Sequence, residues 1–158
     1  MLKLIPILAR LSAILAGLLM TAITLVTCGN LILRNTTGDS LPGAFELTAV
    51  ATGAAIALFM PLCQVRRGNI IVDFFTENLP PSVNSLLDRI GAFVLAAVFA
   101  LLTWRTTLGG LSAYNAHSMT MLMGIPEWIV YAAMVPPFAL ACVIGLTQSV
   151  FGFDAVKE

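Results

Sequence analysis

Residues 11–33 contain no charged side chain. That run of 23 residues constrains the fold more than any other feature of the chain. As a helix rising 1.5 Å per residue it would be about 35 Å long, and a bilayer's hydrocarbon core is about 30 Å thick. The pattern recurs. Residues 47–65 form a second uncharged run, residues 90–114 a third interrupted only by Arg105, and residues 126–153 a fourth apolar stretch with Trp128 and Tyr131 near one end as interface anchors. No stretch alternates with period two, so a membrane barrel is not indicated. Composition agrees: 59% of residues are hydrophobic and 10% charged, whereas soluble domains carry about 25% charged residues. The chain has too little polar surface to face water all round. We therefore expect a single all-α integral membrane domain over residues 1–158 with four transmembrane helices. Formal net charge is zero, and nothing points to nucleic acid.

The sparse charges set the expected orientation. Lys3 and Arg10 precede the first run, Arg34 and Asp39 lie around the short first connector, Arg66, Arg67 and Arg89 lie between the second and third, and Lys157 lies in the tail. The connector between the third and fourth runs has no Lys or Arg. The positive-inside rule then predicts cytoplasmic N- and C-termini, with the first and third connectors outside. The first run exceeds the core of a signal peptide and ends at no clear A-x-A site, so it reads as an uncleaved span. Cys28, Cys63 and Cys142 all lie in apolar runs without metal-binding spacing and read as small packing residues.

One polar stretch breaks the hydrocarbon, RRGNIIVDFFTENLPP, from Arg66 to Pro81. Arg66 and Arg67 read as topology anchors facing lipid phosphates. Gly68 permits a sharp redirection and Asn69 is a competent N-cap. Beyond it Ile70, Ile71, Phe74, Phe75 and Leu79 share one helical face, while Asp73, Thr76 and Glu77 fall on the other. The spacing predicts a short interfacial amphipathic helix over residues 70–79, with Asp73 favourably near its N-terminus and Pro80-Pro81 ending it.

The same residues carry a resemblance. The basic pair Arg66-Arg67, then Gly68, Ile70 or Ile71, Val72, Asp73, Leu79 and Pro80, resembles the small, Q-type (DctQ-like) permease subunit of tripartite ATP-independent periplasmic (TRAP) transporters. A second block, SMTMLMGIPEWIVYAAMVP from Ser118 to Pro136, is similar to that family's last span with its Ile-Pro-x-Trp-x-x-Tyr opening. Glu46 at the start of the second span fits the family habit of an acid there. Many members carry His where this chain has Asn69, which leaves Asn69 as a cap. The resemblance implies a multi-pass protein of a bacterial or archaeal cytoplasmic membrane. It implies two protein partners: a large multi-span permease subunit and a periplasmic solute-binding protein that captures a carboxylate-type solute. Transport would be Na⁺-coupled through the large subunit. The small chain would hold no cofactor or metal and would act as a scaffold bracing its partner, in contact with membrane lipids.

Several residues could carry contacts. Arg105, beside Trp104, reads either as a snorkelling side chain with Trp104 as anchor or as a polar contact to a partner subunit or a held lipid. His117, the single histidine, reads as a solvated loop residue or as a contact with the binding protein; one histidine cannot supply both axial ligands of a bis-histidine haem. Glu46 and Glu127 read as solvated helix ends or as partner contacts, and Asp73 as a further contact. Ala49, Gly53 and Ala57, and again Ala92, Ala96 and Ala100, form small-residue rows suited to close helix approach. No phosphate loop, nucleophile–base pair or paired carboxylates within one span is present, so an enzyme is not expected.

Competing classes are a self-sufficient homodimeric carrier, a four-span glutathione-using membrane enzyme, and the anchor of a respiratory complex. The first would need a membrane-embedded Glu in the first span, which is missing. The second lacks its arginine and asparagine arrangement within a span. The single histidine disfavours the third where haem is required.

Overall fold

The computed structural model describes residues 4–66, 68 and 80–152, with only the backbone of residues 81 and 82. The described residues form four long α-helices: α1 (Leu4–Thr37), α2 (Ala44–Val65), α3 (Pro81–Asn115) and α4 (Trp128–Phe151). Each is long and apolar enough to cross a membrane. No strand forms among the described residues; Met119 and Pro126 make one isolated antiparallel bridge. The described residues are thus all-α, with four membrane-capable helices. The helix foreseen over residues 70–79, with Asp73, lies outside the described residues, as does Arg67.

The helices overrun the uncharged stretches. α1 has 34 residues and α3 has 35, each about 50 Å long at 1.5 Å per residue. Nothing in the flanking sequence stops them earlier, since Arg10, Arg34, Asp88 and Arg89 are all compatible with a helix that emerges from the bilayer. The starts and stops have local causes. Pro81 occupies the first turn of α3, where its missing N–H costs no hydrogen bond. Gly43 precedes α2 at φ +80°, and Gly152 ends α4 at φ +78°. Pro61 sits inside α2, and Pro136 and Pro137 inside α4, without ending either helix.

The helices pack in the spatial order α1, α2, α4, α3. α3 lies along α4, α4 against α2, and α2 against α1, while α1 touches α4 only slightly. The arrangement is a row with α1 and α3 at its edges. Two clusters mark where elements converge. Ala57 of α2, Phe99 of α3, and Phe138 and Ala141 of α4 meet in one, with the Phe99 and Phe138 rings 6.3 Å apart. Ala9 of α1, Val65 of α2 and Ile144 of α4 form the other, at the end of the row where α1 begins and α2 and α4 finish.

Much of the buried surface is small, because apolar surface gains nothing from leaving lipid and association depends on close packing. Gly145 of α4 shows this: a Cβ there would lie 2.9 Å from Ala96 Cβ and 3.3 Å from the Ala92 carbonyl oxygen. Gly110 seats Tyr131 in the same way, its Cβ position lying 2.9 Å from Tyr131 Cβ. The expected small-residue rows are corrected in part. Ala92, Ala96 and Ala57 are buried, but Ala49 and Ala100 are exposed. The face that meets a neighbour turns away from those two positions. Cys63 and Cys142 are half-buried, but Cys28 is exposed on α1 and packs nothing tightly.

Candidate functional site

Two connectors, residues 38–43 and 116–127, lie at the same end of the row. The second is folded. The Thr120 N–H donates to the Ile125 carbonyl at 3.0 Å, and the Glu127 N–H to the Ser118 carbonyl at 3.0 Å. The Thr120 hydroxyl accepts from the Ile125 N–H at 3.1 Å. Gly124, at φ +62°, supplies the left-handed turn residue. The segment is therefore a small hairpin. At its base, Tyr114 at the end of α3 meets Trp128 at the start of α4 edge-on, ring centroids 5.9 Å apart.

Glu46 holds this hairpin. Its carboxylate accepts from the Leu122 N–H at 3.0 and 3.2 Å and from the Met123 N–H at 3.2 Å. The residue stands in the first turn of α2, so helix geometry fixes where its side chain emerges. Gly43 completes the fit, because a Cβ on it would collide with Met123 Cγ. α2 therefore meets the hairpin through one charged and one steric contact. The first connector is tied down separately: Asn30 Oδ1 of α1 accepts from the Leu41 N–H at 2.7 Å. Met121, at 98% exposure, stands free at the hairpin tip.

The other candidates are dispersed. His117 follows α3 at φ +50°, exposed, its N–H donating to the Tyr114 carbonyl as a helix C-cap. Tyr131 packs over Gly109 and Gly110. Arg66 caps α2 through its backbone N–H, and Arg89 lies beside Gly152 at the end of α4. Trp104, 61% exposed, and Arg105, also exposed, lie on α3 away from the hairpin cluster. Asp73 and Arg67 fall outside the described residues. Among the described residues no group of His, Cys, Asp or Glu could hold a metal ion.

Arg105 is the unusual charge. It lies sixteen residues beyond Arg89, about 24 Å along α3, and ten residues short of Asn115, about 15 Å. An arginine at the centre of a membrane helix costs about 2.5–3.5 kcal/mol, and one nearer an end can snorkel; Arg105 lies in the half of α3 toward Asn115. No described residue makes a hydrogen bond or ion pair with its side chain.

Sequence reasoning missed one polar feature. Gln64 of α2 and Gln148 of α4 are 4% and 1% exposed. Gln64 Nε2 donates to Gln148 Oε1 at 2.8 Å, and Gln148 Nε2 donates to the Gln64 carbonyl at 3.0 Å. A search for ionisable groups passes over two amides. Their presence in otherwise apolar runs was the signal that could have found them. The threonines of α1 serve the helix itself: Thr21 and Thr24 donate to carbonyls one turn back, and Thr27 lies 3.5 Å from Thr48 of α2.

Comparison with known proteins gives one family. A family model described as "Tripartite ATP-independent periplasmic transporters, DctQ component" matches residues 23–154. No curated protein and no solved structure matches the chain significantly.

Proposed function

Since the chain belongs to the DctQ family, the small membrane component of TRAP transporters, we propose that it is the scaffold that braces the large permease subunit during secondary active uptake. On this reading the large subunit carries the solute and couples it to Na⁺, and a periplasmic binding protein delivers a carboxylate-type solute. The end bearing the hairpin faces the periplasm and both termini face the cytoplasm, as the distribution of Lys and Arg favours.

One observation carries the scaffold reading beyond family membership. A membrane-embedded path for ions or solute needs polar or ionisable groups facing the interior. Among the described residues the buried polar side chains are Gln64 and Gln148 alone, and they are bonded to each other. Such an interior packs helices together and supports no carrier path of its own.

The test is purification of the tagged chain from native membranes in mild detergent, with mass spectrometry of its companions. Recovery of one large multi-span permease at equal stoichiometry, and loss of carboxylate uptake on deletion of the small chain, is the expected outcome. Recovery of the chain only with itself would refute the scaffold and bring forward the homodimeric carrier.

A further inference from the structure

The row of helices leaves two unpartnered apolar faces, one on each edge. On α1 it runs through Leu4, Leu11, Leu18 and Leu25, which are 52–68% exposed. On α3 it runs through Leu87, Val94, Leu101 and Leu108, which are 43–55% exposed. Both repeat every seven residues, as a helix seam does, so apolar spacing alone does not separate a lipid-facing edge from a protein-facing one. Charge does. Between Arg10 and Arg34 the α1 face has none. The α3 face has Arg105 beside Leu101 and Leu108, on the side of the helix opposite the one that seats α4.

An arginine can escape hydrocarbon by reaching the nearest headgroups. Here the nearer interface lies toward the C-terminal end of α3, at most ten residues away because the helix overruns the bilayer. Side chains on a helix lean toward its N-terminus, so Arg105 leaves the backbone pointing away from that interface. A counter-charge beside the helix answers the geometry better. The described residues do not supply one at that depth: Asp39, Glu46 and Glu127 belong to the connector end, and Asp88 lies seventeen residues back along α3. The same described residues of a second copy would lack one for the same reason.

Resting on the scaffold reading above, we infer that the α3 edge, and not the α1 edge, receives a transmembrane helix of the large permease subunit, and that this helix presents a carboxylate to Arg105. The apolar face supplies the contact area and the ion pair fixes register and depth. An unpaired charge left at such an interface costs far more than an apolar mismatch, so the contact rejects helices without an acid at that level.

The test uses the full chain co-expressed with the large subunit, with membrane levels of each variant checked first. Arg105→Lys should retain co-purification, and Arg105→Glu should lower it by about tenfold or more. A photo-crosslinking residue placed at Leu101 should capture the large subunit, and the same residue at Leu18 should not; this second readout leaves Arg105 intact. Wild-type recovery with Arg105→Glu, or capture from Leu18 and not from Leu101, would overturn the inference. So would full recovery of the large subunit with Arg105→Leu accompanied by loss of a co-purifying anionic lipid, which would assign the guanidinium to a phosphate. If the unaltered chain fails to recover the large subunit, the scaffold reading itself falls, and that result is distinct from the others.

Discussion

A carboxylate in the first turn of a helix is favoured by the unpaired N–H groups there. Glu46 has that position, yet its oxygens turn to N–H groups 76 and 77 residues further along the chain. The position was legible in the sequence as an acid at a span boundary. The target was not, because the contact is tertiary and the hairpin that offers the donors is defined by its own turn chemistry. A glutamine in its place keeps the shape but turns an amide N–H₂ toward groups that are themselves donors. Glu46→Gln should therefore loosen the hairpin, with amide exchange in residues 118–127 faster by about three- to tenfold in hydrogen-exchange mass spectrometry. Unchanged exchange would mean that the hairpin's own bonds suffice. Arg105 stands at the other extreme. The sequence exposed it at once as a charge inside an apolar run, and what it left open, lipid or protein, depends on the arrangement of whole helices.

At the scale of elements, apolar length carries most of the information. Four runs gave four helices, because in lipid a helix satisfies every backbone group within itself. The ends were less legible. Charged residues bound the apolar part of a helix, but a helix that emerges into water continues until a proline or glycine stops it, as Gly152 does for α4. The small-residue rows were right in kind and wrong in part, because a row marks a face able to approach closely and does not say which turns of it do. Among the helix–helix contacts Gly145 is the most demanding close approach, because its neighbours include backbone. Gly145→Leu should force α3 from α4 and lower resistance to unfolding in mixed micelles by about 1–3 kcal/mol. Gly17→Leu, in α1, meets nothing within 4 Å of the added Cβ and should be nearly silent. Equal effects of the two would contradict the packing described for α3 and α4.

The order of the row, α1, α2, α4, α3, is a property of the whole molecule, and nothing local announces it. In helices apolar all round, periodicity cannot tell which face meets which neighbour. Leu15, Leu18 and Leu25 look like core residues in sequence and are more than half exposed on α1. The edges of such a row are legible only once the neighbours are placed. That is why the proposed scaffold role, which depends on having an edge to offer, rests at the sequence level on the family resemblance.

A row has a further consequence, for assembly. Consecutive helices pair most extensively, α1 with α2 and α3 with α4, and one seam, α2 against α4, joins the two pairs. The molecule is then two helical hairpins docked side by side, with the Gln64–Gln148 amides bridging the seam. Each hairpin has two helices long and apolar enough to cross a membrane, which makes it a candidate for independent insertion. Separately expressed fragments 1–68 and 69–158 should therefore find each other in the membrane and co-purify. Gln148→Leu should weaken that pair more than it weakens the intact chain, whose covalent link keeps the halves at high effective concentration. Failure of the unaltered fragments to associate would mean that the connector between α2 and α3 holds the halves together and the seam does not.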